Sequence, residues 1–184
     1  MLLVAFLRDW ARGGLSVAAR EELTAMIEVS DNAAADWVYE HLRSPTADVE
    51  RVARDADMTG FHLDTSDPVY VLGQSLVTAR DLARFFSRIE TFMPTSARPF
   101  GMKLLAGVEE RVGLLAAGLP GRVYSKEGWK PEPAGSLGAP YVVNQAGQFS
   151  CGGVIYGVAV TVGHAEDQLQ AEGVVQEIVG ALRR

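Results

Sequence analysis

The chain holds a single cysteine, Cys151, in 184 residues, so no internal disulfide can form within it. That thiol is expected to act as a small apolar residue at a strand turn. Positive charge is also in short supply. Seventeen Lys and Arg stand against 23 Asp and Glu, a formal net charge of −6, and no basic stripe appears, so a nucleic-acid partner is not expected. Long apolar runs are missing. Met1 to Leu7 is too short to span a bilayer. It lacks a basic region before it and runs straight into Arg8-Asp9-Trp10, so it does not read as an export signal. A helix truncated at its front end fits this start better. His41, His62 and His164 are scattered without metal-ligand spacing, and neither a metal nor a cofactor is expected. A Gly-x-Ser-x-Gly elbow, a phosphate loop and a dinucleotide fingerprint are all absent.

The length suffices for one domain with a real core. A first helix is expected over residues 2–11, closed by Gly13-Gly14. Ser16 can cap a second helix with Leu23, Met26 and Ile27 on its apolar face. Ser30-Asp31-Asn32 breaks that pattern, because such side chains bond neighbouring backbone groups and favour turns and caps. A third helix follows over 33–42. After Ser44-Pro45-Thr46, Val49, Val52, Ala53 and Ala56 mark one helical face. Residues 61–77 show no period and read as a long surface loop.

Thr78-Ala79-Arg80-Asp81 has the form of a capping box with Asp in the Glu place, leading a helix with Leu82, Phe85, Phe86 and Ile89 on one side. Residues 94–99 read as a loop and 101–115 as a helical stretch loosened by glycines. Gly118-Leu119-Pro120-Gly121 turns the chain into a short strand over 123–127, and 131–135 is a loop. Two further strands, 141–149 and 154–162, are joined tightly enough for an antiparallel hairpin. The second is apolar on both faces from Val154 to Val160 and is expected to be covered on both sides. A C-terminal helix carries Val175, Ile178, Val179 and Leu182.

Helices over about 1–120, then strands and a helix over about 121–184, make an α+β architecture in a single domain. Three strands form an incomplete antiparallel sheet, packed by the C-terminal helix, and leave an edge unpaired.

Two short stretches carry chemistry. Taken singly, Ser30-Asp31-Asn32 is an ordinary capping tripeptide and Lys126 an ordinary solvated strand residue. Together, in this order and with Gly128 two residues after Lys126, they resemble the second and third motifs of the class A β-lactamase-like and penicillin-binding serine hydrolases. Gly14-Leu15-Ser16, Met26 to Val29, Thr78 to Leu82 and Gly118 to Pro120 fit the same resemblance. It covers nearly the whole chain but only the rear two thirds of the family domain, with an N-terminal truncation as the expected cause.

The resemblance implies a helical region joined to an α/β sandwich, and acyl-serine chemistry on β-lactams or cell-wall peptide-like amides. Such chemistry needs one group to take the serine proton and another to protonate the leaving nitrogen. By resemblance Ser30 relays that proton and Lys126 attracts the substrate carboxylate. Asn32 bonds the substrate amide, and Asp31 turns inward to hold the loop. Glu127, Gly128 and Trp129 line the substrate, with Gly128 letting the strand backbone approach. The bland reading of Trp129, which the sequence favours, is packing of its amphipathic ring at a strand end.

The chain departs from the family in three places. None of its ten serines has Lys three positions on, so the nucleophile motif Ser-x-x-Lys is missing. Glu127 stands where the family has a hydroxyl, and a carboxylate there would oppose an anionic substrate and partly neutralise Lys126. Leu63 to Leu76 holds Asp64 and Asp67 but no glutamate to activate a deacylating water. The resulting expectation is a β-lactamase-like chain that is inactive as given and binds a small molecule or peptide through its carboxylate. The alternatives are a catalytically dead ligand-binding relative and a truncated gene product without activity. The family works outside the cytoplasm, but this chain carries no address. Its oligomeric state is not legible.

Overall fold

The computed structural model describes residues 1–10, 13–65, 75–109, 118–131 and 141–181, with the side chains of Lys130 and Pro131 left aside. Helix α1 (Leu2–Trp10) is apolar nearly all round, and Leu3 to Leu7 are all buried. Such a helix belongs inside. It packs against α3 (Asn32–Glu40), α4 (Pro45–Asp55) and α7 (Arg98–Ala106). Phe6 stacks on Trp10 at 5.3 Å and meets Trp37 of α3 at 6.1 Å. Arg8 ties the outer side of α1 to α4, its guanidinium 2.6 Å from Asp55.

Helix α2 (Val17–Glu28) starts where expected, with Ser16 Oγ accepting from the Ala19 N–H at 3.1 Å. Leu23, Met26 and Ile27 are buried, as are Val49, Val52, Ala53 and Ala56 on α4 and just past its end.

The middle of the chain corrects three boundaries. Thr78 caps α5 (Ala79–Ser87), accepting from the Asp81 N–H at 3.1 Å, but the expected box does not close. Asp81, only 2% exposed, accepts instead from the Gly60 N–H at 2.8 Å. A short buried carboxylate takes the donor it can reach without solvent, here 21 residues back along the chain. The helix also stops before Ile89. Arg88 interrupts it at φ −129°, and Ile89 lies in the short α6 (Ile89–Phe92). The 94–99 loop ends early, because Pro99 stands in the first turn of α7, where its missing N–H costs nothing. Helix α7 itself ends at Ala106, short of the expected 115, and residues 110–115 of that stretch lie outside the described residues. In the long loop, His62 and Leu76 exchange two backbone hydrogen bonds at 2.9 and 2.8 Å and pinch its neck. Residues 66–74, Asp67 among them, lie outside the described residues.

The sheet is antiparallel with order β1-β2-β3: β1 (Tyr124–Pro131), β2 (Tyr141–Cys151) and β3 (Val154–Ala165). β1 runs four residues beyond its expected end, because an edge strand tolerates Gly128 and ends on Pro131 without breaking a ladder. The rest of the expected 131–135 loop lies outside the described residues. Gly152 and Gly153, at φ 59° and 81°, supply the two left-handed residues of a tight hairpin, and Cys151 is exposed beside them. One face of the sheet joins Tyr124, Ala146 and Ala159 to the helical core. The other, with Val143 and Val160, packs on Ala171, Val175 and Val179 of α8 (Gln168–Ala181). Leu182, expected on that face, lies outside the described residues. The layers are therefore helices, sheet and C-terminal helix, the expected α+β architecture with an incomplete sheet.

The expectation that β3 is covered on both sides holds only for its middle, where Ala159 meets the helical core and Val160 meets α8. Its hairpin end is open: β3 ends the sheet among the described residues, and Val154, Ile155 and Tyr156 are 52, 50 and 46% exposed. Apolar content gives a strand the capacity to be buried, but strand order decides whether a neighbour exists. Among the described residues no helix is long and apolar enough to cross a membrane.

Candidate active site

The Ser30 loop is built by the way α2 ends. The N–H groups of Val29 and Asp31 both donate to Ala25 O, at 3.3 and 3.1 Å, which turns the chain back over the last helical turn. The residue between them must adopt the left-handed region, and Ser30 does so at φ 57°. Asp31 then starts α3 as its N-cap, with Oδ1 accepting from the Ala34 N–H at 2.9 Å. Asp31 thus holds the loop from an exposed position by capping, not by turning inward. Asn32 is the first residue of α3 and is exposed.

The front of the loop is anchored too. Glu28 O accepts from the Glu109 N–H at 2.9 Å. Its side chain lies so close over Gly107 that a Cβ there would come within 2.6 Å of Glu28 Oε1. The apex of the loop is thereby fixed against the chain leaving α7, and α7 in turn packs on β1.

From β1 the Lys126 side chain reaches across to this apex. Its Nζ donates to Ser30 Oγ, 96 residues away in sequence, and to Glu127 O at 2.9 Å. The ammonium is partly buried, so its field on a nearby anion is less screened than at an open surface. Gly128 lies one step along the same strand face, and a Cβ there would meet nothing within 4 Å. The structure therefore brings Ser30, Lys126 and Gly128 to one side of the sheet, with Asp31 and Asn32 next along the chain from Ser30.

Glu127 and Trp129 point the other way, as alternation along a strand requires. The Glu127 carboxylate accepts from Gln145 Nε2 on β2. Trp129 is 48% exposed, with its ring 6.5 Å from that of Tyr141. Sequence reasoning missed Gln145. It is one of three amides in β2, with Asn144 and Gln148, and nothing in the sequence singled it out.

This geometry sets a pair of stability effects. Ser30→Gly should change stability by less than about 1 kcal/mol, because relief of the left-handed strain offsets the lost acceptor for Lys126. Asp31→Ala should cost about 1 kcal/mol through the lost cap. Urea denaturation of the two variants beside the parent chain checks both; a Ser30→Gly variant destabilised by more than about 2 kcal/mol would contradict the left-handed geometry at residue 30.

A family model described as the β-lactamase enzyme family matches residues 7–183. No curated protein matches the chain. Solved structures do, at low identity. The structure of PBP-A superposes with a TM-score of 0.72 at 18% identity, over 99% of this chain and 78% of that one. A β-lactamase from Chitinophaga pinensis DSM 2588 gives a TM-score of 0.76 at 14% identity, over 100% of this chain and 82% of its own. The TLA-3 extended-spectrum β-lactamase gives 0.76 at 10% identity, with the same two coverages. With the family match over nearly the full length and the fold shared with these structures, the chain belongs to the β-lactamase enzyme family.

Proposed function

We propose that the cleft between the Ser30 loop and β1 is the carboxylate-binding half of a β-lactamase-like serine hydrolase site, shaped for a β-lactam or a cell-wall peptide-like amide. The observation that carries this reading is the hydrogen bond from Lys126 Nζ to Ser30 Oγ, which joins the two motifs across the cleft. Lys126 supplies the positive charge for the ligand carboxylate, and Ser30, already bonded to it, relays a proton. Asn32 bonds the ligand amide from the start of α3, and Asp31 keeps the loop in place. The open space beside Gly128 admits the ligand to the strand backbone. Glu127 offers the ligand its backbone, since its carboxylate is turned to Gln145. Trp129 borders the same strand end.

Acyl transfer through the family's Ser-x-x-Lys is outside the reach of these 184 residues, since none of the ten serines has that neighbour. The purified chain is therefore a ligand binder that forms no acyl-enzyme. Incubation with a fluorescent penicillin, followed by denaturing electrophoresis, should give no labelled band; a covalent adduct would overturn this reading. The exposed edge at Val154 to Tyr156 favours a second reading, a β-lactamase-like chain with no activity of its own. Equilibrium dialysis with benzylpenicillin separates the two, because the second predicts no retention.

A further inference from the structure

The register of β1 decides which of its residues meet Ser30, and its own sequence fixes that register poorly. A one-residue slip would carry every side chain of the strand to the opposite face. Hydrophobic patterning normally prevents this by holding the apolar set on the core side. In β1, Tyr124, Lys126 and Gly128 share one face, while Ser125, Glu127 and Trp129 share the other. Neither set is an apolar stripe. β1 is also an edge strand with β2 as its single strand neighbour among the described residues, so only β2 can hold it from the side. A slip would place Lys126 behind the sheet and Glu127 against Ser30.

β2 carries a matching irregularity. Gln145 is 2% exposed on the face that packs against α8, with Val143 on its own strand and Val160 opposite it on β3. A buried amide among valines is costly unless bonded. Its Nε2 donates to the Glu127 carboxylate, and Gln145 and Glu127 are direct register partners. Two pairs further on, Gly147 stands opposite Ser125. A Cβ at Gly147 would lie 2.8 Å from Tyr124 O and 2.9 Å from Ser125 Cβ, so the two strands approach most closely where only glycine fits.

We infer that Gln145 is a positioning residue: its amide, bonded to Glu127 across the sheet, pins the register of β1 and so holds Lys126 against Ser30. Gln145 acts from behind the sheet, through the strand. The odd residue of the third motif is explained by the same pair. A carboxylate at 127 is matched to an amide at 145, and the two lock a strand that apolar patterning leaves loose.

The test reads the Lys126–Ser30 contact directly, without any ligand, so it is separate from the binding reading above, on which only the functional meaning of the contact rests. The readout is the nuclear Overhauser cross-peak between the Lys126 Hε and Ser30 Hβ protons in labelled protein. Gln145→Val fits its valine neighbours but leaves Glu127 without this donor, and should lose the cross-peak. Exchanging the pair, Glu127→Gln with Gln145→Glu, restores a donor opposite an acceptor and should regain it. Persistence of the cross-peak in Gln145→Val overturns the proposal, and so does its loss in the exchanged pair. Should Gln145→Val fail to fold, Glu127→Val with Gln145→Val removes this donor and this acceptor together and carries the same test. It should keep the circular dichroism of the parent and lose the cross-peak; a retained cross-peak overturns the proposal.

Discussion

Gly157→Ala should lower the unfolding free energy by about 3 kcal/mol or more, at or above the upper end of ordinary overpacking costs. Helix α5 crosses β3 so closely at this point that a Cβ on residue 157 would lie 1.9 Å from Ala83 O, with Ser87 N and Ser87 Cβ each at 2.8 Å. Two of these three atoms belong to the helix backbone, so no side-chain rotation clears them. The helix must shift as a body. It is anchored at its start by the Thr78 cap and the Asp81 bond to Gly60, and in the core by Phe85, which stacks on Phe92 at 5.6 Å. Any shift is therefore shared with the helical core. Guanidinium denaturation measures the effect. Gly128→Ala, on the next strand but one with no atom within 4 Å of the new Cβ, serves as the control and should stay within about 0.5 kcal/mol of the parent. If Gly157→Ala matched that control, α5 would not lie on β3 as described.

The contrast between these glycines also marks what can be read without a structure. Neither glycine's sequence neighbours report whether a Cβ would fit there. Only the packing of a helix about 70 residues earlier in the chain separates them, and nothing local encodes it. Features set within one helical turn were legible. Ser16, Asp31 and Thr78 each accept from a backbone N–H three residues on, and each was identifiable as a cap or helix breaker from its neighbours alone. The face Val49, Val52, Ala53 and Ala56 was likewise fixed by period.

Features that depend on distant partners were not legible. Asp81 took its backbone donor from Gly60, and β3 read as buried throughout because its composition cannot report that its Val154 to Tyr156 end is exposed. The Ser30–Lys126 contact stands between these cases. Its residues were found only through motif resemblance, since no periodicity links positions 96 apart. The opposite facing of Lys126 and Glu127, by contrast, follows from strand alternation alone.

Lys126→Ala should weaken benzylpenicillin binding at least tenfold, and the reason lies in what surrounds the ammonium. A charged hydrogen bond in a partly buried setting contributes about 1.5–3 kcal/mol, and 1.4 kcal/mol corresponds to a factor of ten. Lys126 Nζ sits between Ser30 Oγ and Glu127 O, so a ligand carboxylate meets a cation already oriented by two acceptors. Removing the ammonium leaves that carboxylate beside two oxygen atoms with no positive charge between them. Isothermal titration of parent and variant measures the difference, and unchanged affinity would place the carboxylate elsewhere.

Esterifying the ligand gives the complementary change. The methyl ester of benzylpenicillin should bind the parent chain about as weakly as the free acid binds Lys126→Ala, and it should bind the variant no worse than it binds the parent. Such non-additivity is the mark of a direct contact between the two groups removed. Additive losses would mean that Lys126 supports the cleft without touching the ligand. Ser30→Gly distinguishes the lysine's charge from its placement. That variant keeps the ammonium on β1 but removes the hydroxyl it donates to, so its loss of affinity should be smaller than that of Lys126→Ala.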